Sequence, residues 1–383
     1  MGGPAPLGVY IHWPYCARVC PYCDFNVVRD RGRRDEQAAL VDAIAADLSA
    51  QAALLGPRRL VSIFFGGGTP SLMDPDDAGR LVALARSLWR EDGPLEISLE
   101  ANPTDAEAGR FAALASAGVN RLSLGVQALD DHALKFLGRN HDAAAARRAA
   151  ATAATAFPRL SLDLIYALPG QTPEAWAATL GEAVDLGSEH LSPYQLTIES
   201  GTAFDRAVRR GRFAAAEPEV GAALYDTTQT VLEALGYEAY EVSNHARGAA
   251  ARSRHNLVYW RGEDYVGVGP GAHGRLTTAA GRLAVEAAPG VADYIGRVRR
   301  EGSGWSARES LSLVSIAEER LLMGLRTVEG VTWDALAPLG ISPQCERVRT
   351  FVEAGLIVAG TDGLRATTAG RMVLDRLTAE LAG

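Results

Sequence analysis

Cysteine is scarce in this 383-residue chain: there are four, at positions 16, 20, 23 and 345. Three of them fall within eight residues, too tightly clustered for a disulfide framework, so they point to metal or redox use in a reducing compartment. Positive charge is short as well. Lys and Arg number 38 against 46 Asp and Glu, a formal net charge of −8, which argues against nucleic acid or an anionic membrane surface as the main partner. Long hydrophobic runs are missing: no unbroken apolar stretch approaches the roughly 18 residues of a membrane span. A β-rich run begins within the first ten residues, leaving no room for a signal peptide. The expectation is a cytoplasmic chain that is not an integral membrane protein. With 48% hydrophobic and 22% charged residues, its composition is that of a globular protein with one large domain and a smaller one.

What is present is an alternation. β-rich runs at 7–12, 60–65, 95–99, 121–126, 160–166 and 190–196 are separated by helical spacing, as in Leu40, Ile44 and Leu48, in Leu81, Leu84 and Leu88, and in Trp176, Leu180 and Val184. Six strand–helix alternations imply parallel pairing with right-handed crossovers. The polar residues choose between an open sheet and a barrel. Strand one leads into the cysteine loop, strand two into GGGTP (66–70), strand three into Glu100-Ala101-Asn102-Pro103, strand four into Gln127, and Asp163 lies within strand five. Residues so far apart in sequence converge on the C-terminal rim of a (β/α) barrel. The fold class read from this is α/β: a partial, six-stranded parallel β/α barrel over 1–240. A linking segment follows over 241–304, then a small winged-helix-like domain over 305–383.

Three thiolates without a nearby fourth suit a 4Fe-4S cube with one iron left free of protein, because closed zinc and ferredoxin-type sites take four ligands. The open iron can bind a small chelating molecule, and the amino and carboxylate groups of S-adenosylmethionine suit it. From the spacing alone, a zinc site completed by histidine or a redox pair at Cys20 and Cys23 stays open. Consecutive glycines after strand two let backbone approach a ligand closely.

The CxxxCxxC spacing after a first strand, with Tyr22 just before the third cysteine, resembles the signature of the radical S-adenosylmethionine enzymes. YIHWPYC, GGGTPS, EANP, GVQ, RNH and DLIYALPGQT, in that order, resemble the group related to oxygen-independent coproporphyrinogen III oxidase. The resemblance implies that Cys16, Cys20 and Cys23 hold a 4Fe-4S cluster and that Tyr10, Tyr22, Gly67 and Glu100 contact the cluster-bound S-adenosylmethionine. It also matches Gly68, Thr69, Gln127, Arg139 and Asp163 to positions that hold a second such molecule. The oxidase has a further cysteine two residues after the third, where this chain has Phe25, and an N-terminal extension ahead of the first strand. The closer resemblance is to the HemW-type heme chaperones.

That branch implies heme as cargo and an acceptor hemoprotein as partner, respiratory ones included. The stretch HNLVYW (255–260) is similar to the branch's heme-binding segment. His255 is then a candidate heme ligand, with Tyr259 and Trp260 as flat apolar faces. His245 is read as either a second ligand or a surface substitution. Whether S-adenosylmethionine is cleaved stays open, and oxidase activity is not expected. From 305 onward, helical patterns and a hairpin around Asp362-Gly363 resemble a winged-helix module. Five arginines against four acids between 344 and 377 leave it without a basic stripe, so a protein-contact or lid role is preferred to DNA binding.

Overall fold

Each predicted β-rich run pairs with the next. The computed structural model, which describes residues 4–105 and 108–383, has six parallel strands side by side in chain order: β1 (Pro6–Trp13), β2 (Arg59–Gly67), β3 (Glu96–Ala101), β4 (Arg121–Gln127), β5 (Arg159–Tyr166) and β6 (His190–Gln195). Burial along β1 and β5 is nearly continuous, as it must be where helices cover one face and packed side chains fill the other. This is the expected partial barrel.

The crossover helices are Arg34–Leu55, Pro75–Leu88, Ala108–Ser116, Ala143–Ala156 and Pro173–Asp185. Their starts are written locally. The Asp74, Asp142 and Thr172 side chains accept the backbone N–H of Asp76, Ala145 and Ala175, and prolines hold the first helical position after Asp74 and Thr172. Leu40, Ile44 and Leu48 are buried, as are Trp176, Leu180 and Val184. In Pro75–Leu88 the buried stripe is instead Ala78, Leu81, Val82 and Ala85. Helix Arg34–Leu55 would also suit a membrane crossing by length and composition, and half of that window is packed inside the fold.

The sheet does not stop at six strands. Beyond β1 it continues through Asp264–Val268, parallel to β1, and then His273–Thr278, Gly281–Ala287 and Trp305–Ser310, all antiparallel. Beyond β6 it adds the short strands His245–Ala246 and Glu238–Ala239. Residues 241–304 therefore contribute strands to the same 12-stranded sheet. After it, helices Leu313–Gly324, Trp333–Leu336 and Glu346–Glu353 pack with a three-stranded sheet of Val331–Thr332, Ile357–Ala359 and Gly363–Ala366. This module has its own core, with Leu321, Leu336, Val348, Leu364 and Leu377 at its centre.

Candidate functional site

The C-terminal ends of the barrel strands surround a cavity of about 420 Å³. Of the thirteen site residues singled out from the sequence, eleven line it: Cys16, Cys20, Cys23, Tyr22, Gly67, Gly68, Thr69, Glu100, Gln127, Arg139 and Asp163. Tyr10 and His255 do not. Gln127 reaches the wall through a break in the β4–β5 register between Leu124 and Gln127, where its own φ is 66°. An L-residue in that region is uncommon, and a bulge of this kind re-aims a side chain.

The cysteine loop is clamped from below. Cys16 sits in a two-residue strand pairing with Val28–Arg29, and Cys23 N–H donates to Cys20 O at 3.2 Å in a turn. The GGGTP loop lies directly beneath. Gly68 N–H donates to Trp13 O and Thr69 N–H to Tyr15 O, both at 2.8 Å. A Cβ on Gly68 would lie 2.7 Å from Tyr15 O, and one on Gly67 would strike the His12 ring. Gly68 lets its loop touch the chain that leads into the cysteine loop, and Gly67 leaves room for the His12 ring, while both still line the cavity. His12 completes the clamp, its Nε2 2.8 Å from Asn26 O and its Nδ1 3.0 Å from the Tyr10 hydroxyl.

Charge inside the cavity is divided. Arg139 Nη1 donates to Cys20 Sγ at 3.2 Å, and Nη2 donates to Gly125 O at 3.1 Å and to Asn102 Oδ1. Burial pushes the Cys16 thiol up to about 11, with a hydrogen bond to Thr69 opposing it. Burial likewise raises Cys23. Glu100 Oε2 accepts Gly67 N–H at 3.1 Å. Burial, and then the Asp163 carboxylate, push Glu100 up to about 8. Asp163 is raised to about 6, chiefly by burial, while Ser123 donates to both its oxygens at 3.0 and 3.1 Å. Two carboxyl groups held against their preference for water would both gain from a bound cation.

His255 is elsewhere. It lies on the helix Arg254–Trp260, buried, with Nδ1 2.9 Å from Ser62 Oγ and Nε2 2.9 Å from the Tyr259 hydroxyl. Its ring stacks on Phe64 at 4.9 Å, and burial pulls its pKa down to about 3. The expectation of an axial heme ligand therefore meets a core histidine with both nitrogens engaged. Tyr10 lies beside that stacked pair, its ring 6.2 Å from Phe64 and 6.3 Å from His255. His245 is also buried, against Gln229, so it is no surface substitution. The sequence reading passed over Ser123, Ser192 and Asn244, which all line the cavity. The first two are small polar residues flanked by leucine in their strands, Leu122 and Leu124 beside Ser123 and Leu191 beside Ser192, and that was the available signal.

Comparison with known proteins agrees with this geometry. Residues 10–183 match the radical SAM superfamily and residues 311–373 the HemN C-terminal domain. The heme chaperone HemW of Mycobacterium tuberculosis (strain H37Rv) is 34% identical, over 99% of this chain and 95% of the relative. HemW of Bacillus subtilis is 32% identical, over 95% and 96%. The chain belongs to the HemW-type branch of the radical S-adenosylmethionine family. The mitochondrial radical S-adenosyl methionine domain-containing protein 1 of Bos taurus is 39% identical, over 99% of this chain and 88% of that protein. Coproporphyrinogen III oxidase (HemN) of Escherichia coli shares the fold, with a TM-score of 0.79 over 99% of this chain and 90% of that one, at 21% identity.

Family membership implies a 4Fe-4S cluster and S-adenosylmethionine. The donor set suits the cluster: three soft thiols from one loop on one cavity, none in a disulfide, with Cys345 in the C-terminal module. Among the described residues, no three His, Cys, Asp or Glu side chains are already gathered as a metal set.

Proposed function

We propose that this protein is a heme chaperone. It would carry a 4Fe-4S cluster on Cys16, Cys20 and Cys23 with S-adenosylmethionine in the adjoining cavity, bind heme, and pass it to an acceptor hemoprotein in a reducing, cytoplasmic compartment. One observation carries the reading: three unpaired thiols share a single cavity with the GGGTP loop, Glu100, Arg139 and Asp163. When bound, the cluster would supply an open iron site and one-electron chemistry. The chain's own residues do the rest. Gly67 and Gly68 fix the cysteine loop, Arg139 braces Cys20, and Glu100 with Asp163 offers the carboxyl groups that an ammonium or sulfonium needs.

Heme as cargo is supported by the relatives named heme chaperones and by Phe25 where the oxidase has a cysteine. At the mouth of the cavity Val19, Phe25 and Tyr194 are 43%, 61% and 42% exposed, with Arg18 beside them. That is an apolar rim with a cation, suited to a porphyrin face and a propionate. The test uses full-length protein purified without oxygen and reconstituted with iron and sulfide. It is titrated with heme and then mixed with an apo-hemoprotein, with and without S-adenosylmethionine. Heme binding and transfer are expected. Decarboxylation of coproporphyrinogen at an enzymatic rate would replace the chaperone by an oxidase. A site filled by zinc alone would remove both.

A further inference from the structure

The C-terminal module reaches the cavity through one buried line of side chains. Ser192 Oγ donates to Asn244 Oδ1 at 2.8 Å, and Asn244 Nδ2 donates to Glu241 Oε1. Glu241 has no exposed surface and faces Arg326 of the C-terminal module, Nη2 to Oε2 at 3.7 Å. The Arg326 guanidinium lies over the Trp260 ring, 4.8 Å from its centroid. Beside it Val328 N–H donates to Tyr240 O at 3.2 Å. Ser192 and Asn244 line the cavity; Glu241, Arg326 and Trp260 do not.

The line has a direction. An ionised Glu241 can only accept, so it holds the NH₂ end of the Asn244 amide and leaves the oxygen toward Ser192. Ser192 has one hydroxyl proton and faces Asn244 Oδ1, the Asp163 carboxylate and Ser161 Oγ, the last at 3.2 Å. With the amide in this orientation the proton is drawn toward Asn244, and Asp163 leans on the Ser123 hydroxyl, which donates to both its oxygens. A carboxylate stripped of its countercharge in such a place prefers to be neutral, and Arg326 is the foremost influence opposing burial at Glu241. A neutral Glu241 could donate, the amide could turn over, and the Ser192 proton would swing to Asp163. The hydrogen-bond pattern of the cavity wall would then reverse with no lining residue altered.

We propose that Arg326 is a positioning residue for the cavity: the C-terminal module, by pairing with Glu241, fixes the Asn244 amide and so decides which polar groups the wall offers to S-adenosylmethionine. This rests on the reading that the cavity takes that molecule.

The experiment measures binding of labelled S-adenosylmethionine by equilibrium dialysis to full-length, anaerobically reconstituted protein. Arg326→Leu should weaken binding by about fivefold or more, while Arg326→Lys should stay within about twofold of the parent. Asn244→Leu should also weaken binding, and adding Arg326→Leu to it should cost nothing further in affinity. If Arg326→Leu does not fold, Arg326→Gln replaces it under the same criteria. Parent-like affinity in the folded Arg326 variant, or the same loss with Asn244 already removed, overturns the proposal. Failure of the parent itself to bind S-adenosylmethionine overturns the functional reading, and this inference falls with it.

Discussion

Replacing Gly68 by alanine probes whether the two loops must touch. The new Cβ would lie 2.7 Å from Tyr15 O and 2.8 Å from both Pro14 C and Pro14 O. All three are backbone atoms, so no side chain can swing aside. Relief must come from moving the loop, which breaks the Gly68–Trp13 and Thr69–Tyr15 hydrogen bonds. Two such bonds are worth about 1–3 kcal/mol together and the overpacking about 1–3 more, so a local cost of about 2–6 kcal/mol falls on the segment that presents Cys16. Gly181→Ala is the counterpart. That glycine sits inside helix Pro173–Asp185 with nothing within 4 Å of an added Cβ, and the change should stabilise by about 0.5–1 kcal/mol. The assay is iron and sulfide content with visible absorbance after anaerobic reconstitution, beside a denaturant melt. Gly68→Ala should lose most of its cluster, and Gly181→Ala none. A Gly68→Ala protein with full cluster content would refute the argument that close loop contact sets the thiols.

Four further outcomes follow from the same geometry. Cys16→Ser, Cys20→Ser and Cys23→Ser should each abolish stable cluster assembly, whereas Cys345→Ser should retain about four irons per chain, read by iron analysis. His255→Ala should leave heme affinity unchanged, yet cost about 2–4 kcal/mol in a denaturant melt from its two lost hydrogen bonds and its packing; a collapse of heme affinity instead would restore it as the iron ligand. Glu100 carries the pH dependence: its native pKa of about 8 stands above the ordinary 4.5, so between those values the folded chain holds a proton that the unfolded chain has released. Stability from this group is full below that window and falls as pH rises through it, by about 1.4 kcal/mol per unit of separation, and Glu100→Gln should flatten the upper part of a pH series of melts. Glu96 is the mirror case, pulled below its ordinary value because Arg121, Arg159 and two backbone N–H groups outweigh burial. Glu96→Leu strips Arg159 of a 2.6 Å partner and the helix Arg254–Trp260 of its anchor, so it should cost about 3–5 kcal/mol.

The barrel was legible because its periodicities are local. A β-rich run bounded by turn residues and a helix opened by Asp74-Pro75 or Thr172-Pro173 declare themselves within a few residues, and six such units in a row admit few topologies. The antiparallel strands at His273–Thr278 and Gly281–Ala287 were not legible. Their alternation is real, with Leu283, Val285 and Ala287 on the buried face, but the runs are short and rich in small residues, and a partner strand supplies the reason to extend. The cysteine spacing narrowed the chemistry to a metal or redox site, and the motifs that follow it, GGGTP first among them, carried the resemblance that made it a cluster. His255 misled for the opposite reason: a histidine beside aromatics has one sequence pattern whether its nitrogens face a ligand or Ser62 and Tyr259.

From the residues alone came the strand and helix alternation and the three-thiol donor set, which depend on spacings within a few positions, and the rim, which follows from repeating that local unit six times. Tertiary structure alone decided that Gly68 packs on Pro14 and Tyr15 and Gly67 on His12, that His255 lies in the core, and that Arg326 stands behind Glu241 and Asn244. Each of those facts is a meeting of segments distant in the chain, and what a buried polar group does is set by the partner it finds there.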